Sequence, residues 1–576
     1  MEPLITTIEA RCRDCYRCVR ACPVKAIRIR AGPGGSVHAE VVDERCLHDG
    51  RCVAECPQKA KRVRSEMPAV LRMLANGQPV AATLAPSFVT AFSPYQPGQV
   101  VAALRRLGFS EVHETAVGAE MVADISRRLL KQRDNRQIIS SACPAIVNLV
   151  EKYYPELVDC LSPVVSPMIA HSRYLKSVRR GLSCVFIGPC IGKLAEAKRP
   201  ELQGGPDACL GFQEVKQWFA DASVEIGTLA PEEPDGAIPD AGRLFCIEGG
   251  QLGTTGLSTD MLDTEVFAAS GIDSSMQALE RLRSGGLSDR PVFMELLACK
   301  GGCINGPLVG EVLGQDLFAK RLSLVRYRRS ASSRTDATPV AHAANEALIR
   351  SFSGKPLPQD EPGEEDIRRI LEKTDKFRAE DELNCGACGY SSCREKARAV
   401  YHGYAEVQMC IPYMRKKAES TAALVLNFTP NGIITVGEDL VIKEINPAAR
   451  QMFGRHGQEL AGRALSEIMD VQDFIEARDS GRLVKGTCTY QDSGLTLSHS
   501  VFHLKEEKLI IGVFADVTDE YKHKEQLGRM KAETVEKAAE VISKQMKVAQ
   551  EIAGLLGETT AETKVLLGQL IRLMKE

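Results

Sequence analysis

The sequence predicts a multidomain protein of mixed α+β and α/β class, and three observations carry that expectation. Apolar stretches of strand length alternate with amphipathic stretches of helix length from Pro79 to about Arg328, the pattern of an α/β domain. Close-spaced cysteines lie on both sides of that region, in segments too short for a core of their own. A second alternation of strand and helix signals fills 421–520, and helical spacing runs from there to the end.

Each element follows from its residues. PVAATLA, QIISSA, LSCVFIG and RPVFMELLA read as strands, while MVADISRRLLKQ and PAIVNLVEKYY read as helices. Together they predict a largely parallel sheet over 79–328. Residues 1–66 form a cysteine-rich unit, and 329–364 is polar and rich in Pro, Ser and Ala, the composition of a linker. A second cysteine module spans 365–415. In 421–520, Pro430-Asn431-Gly432 and Asp492-Ser493-Gly494 mark turns between strands. In the tail, 521–576, Val535, Ala538, Ile542, Ala549, Ile552 and Leu556 recur at 3–4 spacing, broken at Gly557. Such a stripe requires a partner surface, either a second copy in a homodimer or the preceding sheet.

Composition bounds the function. A chain of 576 residues exceeds one core, and its length suggests roughly four domains. With 44% apolar and 26% charged residues it reads as an ordinary soluble protein. A net charge of −2 gives no footprint for nucleic acid or a membrane surface. No apolar run reaches bilayer length. The opening MEPLITTIEARCRDC lacks an export pattern. Its 20 cysteines are grouped, so they read as metal ligands rather than disulfides. The expected location is the cytoplasm of an oxygen-poor cell.

Cys12, Cys15, Cys18 and Cys22-Pro23 give C-x2-C-x2-C-x3-CP, the run of bacterial ferredoxins, in which the fourth cysteine serves the neighbouring cluster. The second run is Cys46, Asp49, Cys52 and Cys56-Pro57. The expected sets are therefore Cys12, Cys15, Cys18 and Cys56 for one 4Fe-4S cluster, and Cys22, Cys46 and Cys52 with Asp49 for the other. A carboxylate is a harder ligand than a thiolate. The second cluster can thus be oxygen-ligated, have an open iron, hold three irons, or be lost. Zinc is the alternative metal for all of these thiols.

In the central region Cys143 (SSACP), Cys190 (GPCIGKLAE), and Cys299 and Cys303 (MELLACKGGC) each follow a strand-like stretch. Open α/β sheets bind ligands at that carboxyl edge. Gly188, Gly192, Gly301, Gly302 and Gly306 flank them and allow close approach of backbone to a bulky group. Cys160, Cys184, Cys209 and Cys246 are expected to be buried as small apolar side chains.

These three segments resemble the signatures of the FeFe (iron-only) hydrogenases. The resemblance implies an H-cluster: a 4Fe-4S cubane joined to a diiron subsite with CO, cyanide and a bridging dithiolate. By that resemblance Cys143, Cys190, Cys299 and Cys303 hold the cubane, with Cys303 bridging to the diiron part. Lys193 hydrogen-bonds a cyanide, Glu196 pairs with Lys193, and Pro86 and Ser87 line the far side.

The chain departs from the family at informative places. Ala142 stands where fast hydrogenases carry the proton-transferring cysteine. After Asp124 no acidic residue follows until Asp134. Ala170 and Leu297 stand where methionines pack around the diiron site, and the glycine run after Cys303 becomes NGPL. Proton transfer by a positioned group is worth about a hundredfold to ten-thousandfold, so slow turnover is expected.

Cys385, Cys388, Cys393 and Cys410 resemble a single 4Fe-4S module, expected to relay electrons between the central domain and the carboxyl-terminal region. Residues 421–520 resemble a PAS domain through PNGIITVGEDLVIKEINPAARQMFG and IIGVFADVTDE, with Asn446 and Phe453-Gly454 at characteristic places. His499 and Cys488 read as surface or core residues rather than ligands.

The architecture so implied is a ferredoxin-like bicluster domain, an α/β H-cluster domain, a small helical 4Fe-4S module, a PAS domain and a helical tail. The implied function is hydrogen sensing by a slow FeFe hydrogenase, which reversibly oxidises H2 and reduces protons. Its implied partners are H2 and protons, an electron carrier such as ferredoxin, the hydrogenase maturation proteins and a downstream kinase or phosphatase. The alternative is a non-catalytic iron–sulfur scaffold or redox switch holding only cubanes.

Overall fold

The structure, a computed structural model, describes residues 3–31, 37–132, 137–260, 263–285, 293–310, 316–332, 348–358, 360–455, 460–490, 494–556 and 560–573. The expectations at Asp134, Asp492, Ser493 and Gly557, and for linker residues 333–347 and 359, lie outside them. The chain divides into two compact units, Met1–Ile411 and Pro412–Glu576.

In the first unit the buried strand Val80–Leu84 has parallel neighbours on both sides, Glu111–Glu114 and Ser183–Gly188, and Ala208–Gly211 pairs beyond the latter. Every residue of Val80–Leu84 is buried, as a strand covered on both faces requires, which explains its unbroken run of apolar and small residues. A separate sheet is formed by Val266–Ser270, Phe293–Leu297 and Ile138–Ile139, again parallel. The largely parallel sheet expected from the sequence is therefore two sheets. Alternation of signals sets the strand type but not the strand order, and Ile138–Ile139 pairs with Phe293 and Met294 rather than with its predecessors in the chain.

Helices cover these sheets. Ala116–Gln132 lies against Pro167–Val178, and a methyl at Gly118 would collide with the carbonyl of Pro167. Pro144–Tyr153 begins with proline at its first turn, where the missing N–H costs nothing.

The amino-terminal residues form two antiparallel pairs, Ile5–Thr7 with Lys61–Val63 and Ile27–Ala31 with Val37–Val41. Short helices Arg17–Ala21 and Arg51–Ala54 carry a cysteine each. The expected linker differs from its composition. Its first residues complete the helix Leu317–Ser332, and 348–355 are docked. Leu348 is buried, and its carbonyl accepts from the Val165 N–H at 2.9 Å.

The second unit holds a five-stranded antiparallel sheet in the order Ile442–Ile445, Gly432–Gly437, Leu509–Asp516, Leu495–Leu504, Val484–Tyr490. Asn446 caps Pro447–Met452 through its side-chain oxygen, which also accepts from the Ile433 N–H at 2.8 Å. Phe453 meets Phe514 edge-on at 5.2 Å. The helix Thr518–Leu556 comes next. On it Val541, Val548 and Ile552 are more than half exposed.

Candidate metal centre

Cys143 and Cys190 stand at the N-caps of Pro144–Tyr153 and Ile191–Glu196, Cys299 follows the strand Phe293–Leu297, and Cys303 opens a single 3-10 turn. Gly302, just before it, has φ +97°, and a side chain there would strike the carbonyl of Cys246. All four cysteines line one cavity of about 100 Å³, together with Pro86, Ser87, Ala142 and Lys193. Its walls have two origins. The three-stranded sheet leads to Cys143, Cys299 and Cys303, while the four-stranded sheet leads to Cys190, Lys193, Pro86 and Ser87.

Burial first, then the thiol of Cys143, pushes Cys190 up to about 12. Cys299 and Cys303 are raised well above the ordinary range by burial, then by the neighbouring thiols. Three such thiols cannot ionise together in a dry pocket unless multivalent cations arrive to neutralise them.

Lys193 Nζ lies 2.8 Å from Glu196 Oε2 and donates to the carbonyl of Ala142 at 3.1 Å. Glu196 is buried and also accepts from Ser166 Oγ at 3.0 Å. The salt-bridge network continues through Arg350, Glu201, Arg199, Glu151 and Lys355. Lys193, Arg199, Arg350 and Lys355 thus face Glu151, Glu196 and Glu201, four cations to three carboxylates. That balance leaves Lys193 suited to an anion in the cavity.

Several wall residues escaped the sequence reading. Cys246, expected only as core, lines the cavity, and its Sγ lies 3.6 Å from the Arg243 carbonyl, to which the thiol donates. Cys184 and Cys209 are buried as expected, whereas Cys160 is only partly buried. Ala170 is buried but not on the wall; Met168, two residues earlier, is. So one methionine does border the cavity, while Leu297 borders it as an aliphatic. Thr115 and Asp49 line it too. The buried atoms Ser87 Oγ, Thr115 Oγ1 and Asp49 Oδ2 have no hydrogen-bond partner among the described residues. Unpaired buried polar atoms are costly, so this wall suits a polar occupant. Behind Ala142, its N–H donates to Ser140 Oγ at 3.3 Å, and Ser140 donates to Gln251. Glu295 Oε2 accepts from the N–H groups of Gln251 and Leu252.

Charge interactions link the amino-terminal cysteines to one another. Cys18 feels Cys12, Cys15 and Cys56, while Cys52 feels Cys46, Asp49 and Cys22. Asp49 is raised by burial and lies close enough to Cys299 for their charges to interact. The helix that starts after Cys143 also grips the Cys46 loop. Asn148 donates to the Leu47 carbonyl at 3.0 Å, Lys152 to that of Cys46 at 2.8 Å, and Tyr153 to that of Arg45 at 2.8 Å.

In the second module Lys396 interacts with Cys388, Cys393 and Cys410, and Lys376 donates to Cys410 Sγ at 3.4 Å. Cys385 is exposed. The module, expected to relay electrons between the central domain and the carboxyl-terminal region, is docked on residues 1–66. Arg20 donates to the carbonyls of Cys15 and Ala387, at 2.8 and 3.0 Å. Tyr390, buried, interacts with both Cys388 and Cys22. In the second unit Cys488 is exposed, and His499 is buried and bonded to Asp473 at 2.7 Å.

No group of three or more His, Cys, Asp or Glu among the described residues is set for a single metal ion. Thiolates on one zinc lie about 3.8 Å apart, given Zn–S bonds near 2.3 Å. A multi-iron body needs a wider cradle, and a cavity ringed by four thiols fits it. No helix among the described residues is long and apolar enough to cross a membrane.

Comparison with known proteins agrees with this geometry. Residues 78–307 match the C-terminal domain of the iron-only hydrogenase large subunit, 11–60 a 4Fe-4S dicluster domain, 381–412 an Fe-S cluster family and 422–486 a PAS domain. Iron hydrogenase 1 of Clostridium pasteurianum is 26% identical over 301 residues, 44% of this chain and 52% of that protein. The NADP-reducing hydrogenase subunit HndD of Solidesulfovibrio fructosivorans is 26% identical over 317 residues, 45% and 53%. The periplasmic [Fe] hydrogenase large subunit of Nitratidesulfovibrio vulgaris is 28% identical over 358 residues, 52% and 84%. The match thus spans about half the length of the first two relatives. Among solved structures, a variant of [FeFe]-hydrogenase HydA1 from Chlamydomonas reinhardtii aligns at 18% identity and TM-score 0.42, over 51% of this chain and 100% of that one. Through residues 78–307 the chain carries the large-subunit domain of the iron-only hydrogenases, joined to dicluster, Fe-S and PAS domains, and its cofactors are 4Fe-4S clusters and the H-cluster.

Proposed function

We propose that this chain is a hydrogen-sensing FeFe hydrogenase of low turnover, which interconverts H2 with two protons and two electrons and passes the outcome to its PAS part. Cys143, Cys190, Cys299 and Cys303 would hold the H-cluster, with Cys303 also serving its diiron part. When bound, that group would supply the iron chemistry for heterolytic cleavage of dihydrogen. Lys193 holds an anionic ligand in place, and Glu196 fixes the direction in which that ammonium points. Pro86 and Ser87 close the far wall. Ala142 has no ionisable group, so protons leave the pocket slowly, which suits detection rather than bulk production.

Electrons would leave through Cys22, Cys46, Asp49 and Cys52, since Asp49 borders both that set and the cavity. The set of Cys12, Cys15, Cys18 and Cys56 and the module of Cys385, Cys388, Cys393 and Cys410 continue the wire. The partners are an electron carrier such as ferredoxin, the maturation proteins and a downstream kinase or phosphatase, in the cytoplasm.

One observation carries this reading: Lys193, held by Glu196 behind it, faces a cavity ringed by four cysteines. A scaffold that held only a cubane would have no use for a half-buried ammonium there. The test is infrared spectroscopy after expression with the maturation machinery. Bands of metal-bound CO and cyanide that change under hydrogen are the expected result. A cubane signal with no such bands would instead establish the non-catalytic scaffold.

A further inference from the structure

The segment 348–355, a linker by composition, is built into the wall behind the cavity. The Leu348 carbonyl accepts from Val165, the Arg350 N–H donates to the Pro163 carbonyl at 3.1 Å, and the Lys355 N–H donates to the Glu151 carbonyl at 2.6 Å. Ile349 bridges Val164, whose carbonyl accepts from Ser141 Oγ at 2.7 Å, next to Ala142. The segment is therefore joined through Val164 to Ser141, and directly to Glu151 on the helix that starts after Cys143.

Its charged residue is placed with equal specificity. The Arg350 side chain is 4% exposed, and its guanidinium lies over the Phe352 ring at 4.2 Å. Nη1 is 3.8 Å from Glu196 Oε1, and Nη2 is 3.7 Å from Glu201 Oε1. Both are ion-pair distances too long for hydrogen bonds. Arg350 Nε and Nη2 and Glu196 Oε1 have no hydrogen-bond partner among the described residues. The other carboxylate oxygen, Oε2, is shared by Lys193 and Ser166. Glu196 is thus a single carboxylate between two cations, one facing the cavity and one carried by the segment that leads into the second cysteine module. A shift of the carboxylate toward either cation weakens its hold on the other.

We propose that Arg350 is a positioning residue for Lys193, acting through Glu196, and that seating of residues 348–355 couples occupancy of the cavity to the chain leading into the second module. The inference rests on the proposed H-cluster reading. Coupling of this kind is reciprocal: seating the segment sets the pull on Lys193, and an anion held by Lys193 favours the seated segment.

The test uses the matured full chain. In Arg350→Gln the cyanide stretching bands are expected to shift, and in Arg350→Lys, which keeps a cation, to return toward the parent positions. In the parent chain, amide hydrogen exchange over residues 348–355 is expected to slow about fivefold or more on loading of the diiron subsite into cubane-bearing protein, the low end of ordinary coupling. This second measurement needs no variant, so it stands even where Arg350→Gln fails to fold. Bands unmoved in Arg350→Gln, or amide exchange over 348–355 indifferent to loading, would overturn the inference alone. Absence of CO and cyanide bands from the parent would overturn the proposed function and this inference with it.

Discussion

Lys193 donates through Nζ to the carbonyl oxygen of Ala142, 3.1 Å away. The ammonium that faces the cavity is therefore anchored to the backbone of the residue whose side chain cannot carry a proton. Position and acidity, which one pair of neighbours could both supply, are here separated: Lys193 provides position and nothing at 142 provides the acid.

Replacing Ala142 with Cys restores an ionisable group on the cavity wall. Hydrogen uptake by the matured Ala142→Cys variant with an artificial acceptor is expected to rise about a hundredfold, the lower end for a positioned proton donor. A rate equal to the parent's would mean that proton transfer at this position is not what limits turnover.

Asp49 stands with Cys22, Cys46 and Cys52, and its Oδ2 lacks a partner among the described residues. In Asp49→Ala the cluster of that set is expected to lose iron and show the EPR signal of a three-iron form. Asp49→Cys should keep the full complement with an all-thiolate signal. Iron content and EPR that are identical in parent and Asp49→Ala would remove Asp49 from the ligand set.

Burial pushes the Glu295 carboxyl from 4.5 up to about 7, against the pull of the Leu252 and Gln251 N–H groups. The native chain thus keeps a proton that the unfolded chain has already released. The stabilisation is full below about pH 4.5 and is lost as pH rises through 7. The shift corresponds to about 3 kcal/mol. Glu295→Gln cannot lose that proton, so its thermal midpoint is expected to gain on the parent's between pH 5 and pH 8. Parallel pH curves for the two proteins would refute the assignment.

Arg20 ties the Cys15 loop to Ala387 at the surface. Its two bonds together are worth about 1–2 kcal/mol. Arg20→Ala should therefore speed amide exchange over 385–390 roughly tenfold, with the central sheets unchanged. Exchange spread evenly over the first unit would point to general destabilisation instead.

What the sequence made legible is local. Cys143 and Cys190 sit at strand-to-helix turns, and Cys299 and Cys303 in the turn after a strand, because short apolar runs end beside Gly and Pro. Lys193 and Glu196 meet because they are three residues apart on one helix. The rest depends on contacts between distant segments. Strand order split the sheet in two, and packing put Met168 rather than residue 170 on the cavity wall. Cys246 reads as core until the turn at Gly302 is seen against it. The segment around Arg350 is hidden by its neighbours, since a polar, proline-rich average conceals the buried Leu348 and Arg350. The second module's docking rests on scattered contacts, among them Arg20 with Ala387 and the Ile29 N–H with the Tyr404 carbonyl, that no sequence pattern marks.

The cavity lies on a seam. Three of its cysteines hang from one sheet, while Cys190 and the lysine hang from the other. An inorganic body gripped from both sides acts as a rivet, because iron–sulfur bonds span a joint that otherwise depends on side-chain packing. Loss of the rivet would then do more than stop the chemistry. It would let the two plates slide, turning a chemical injury into a mechanical one that the rest of the molecule can feel.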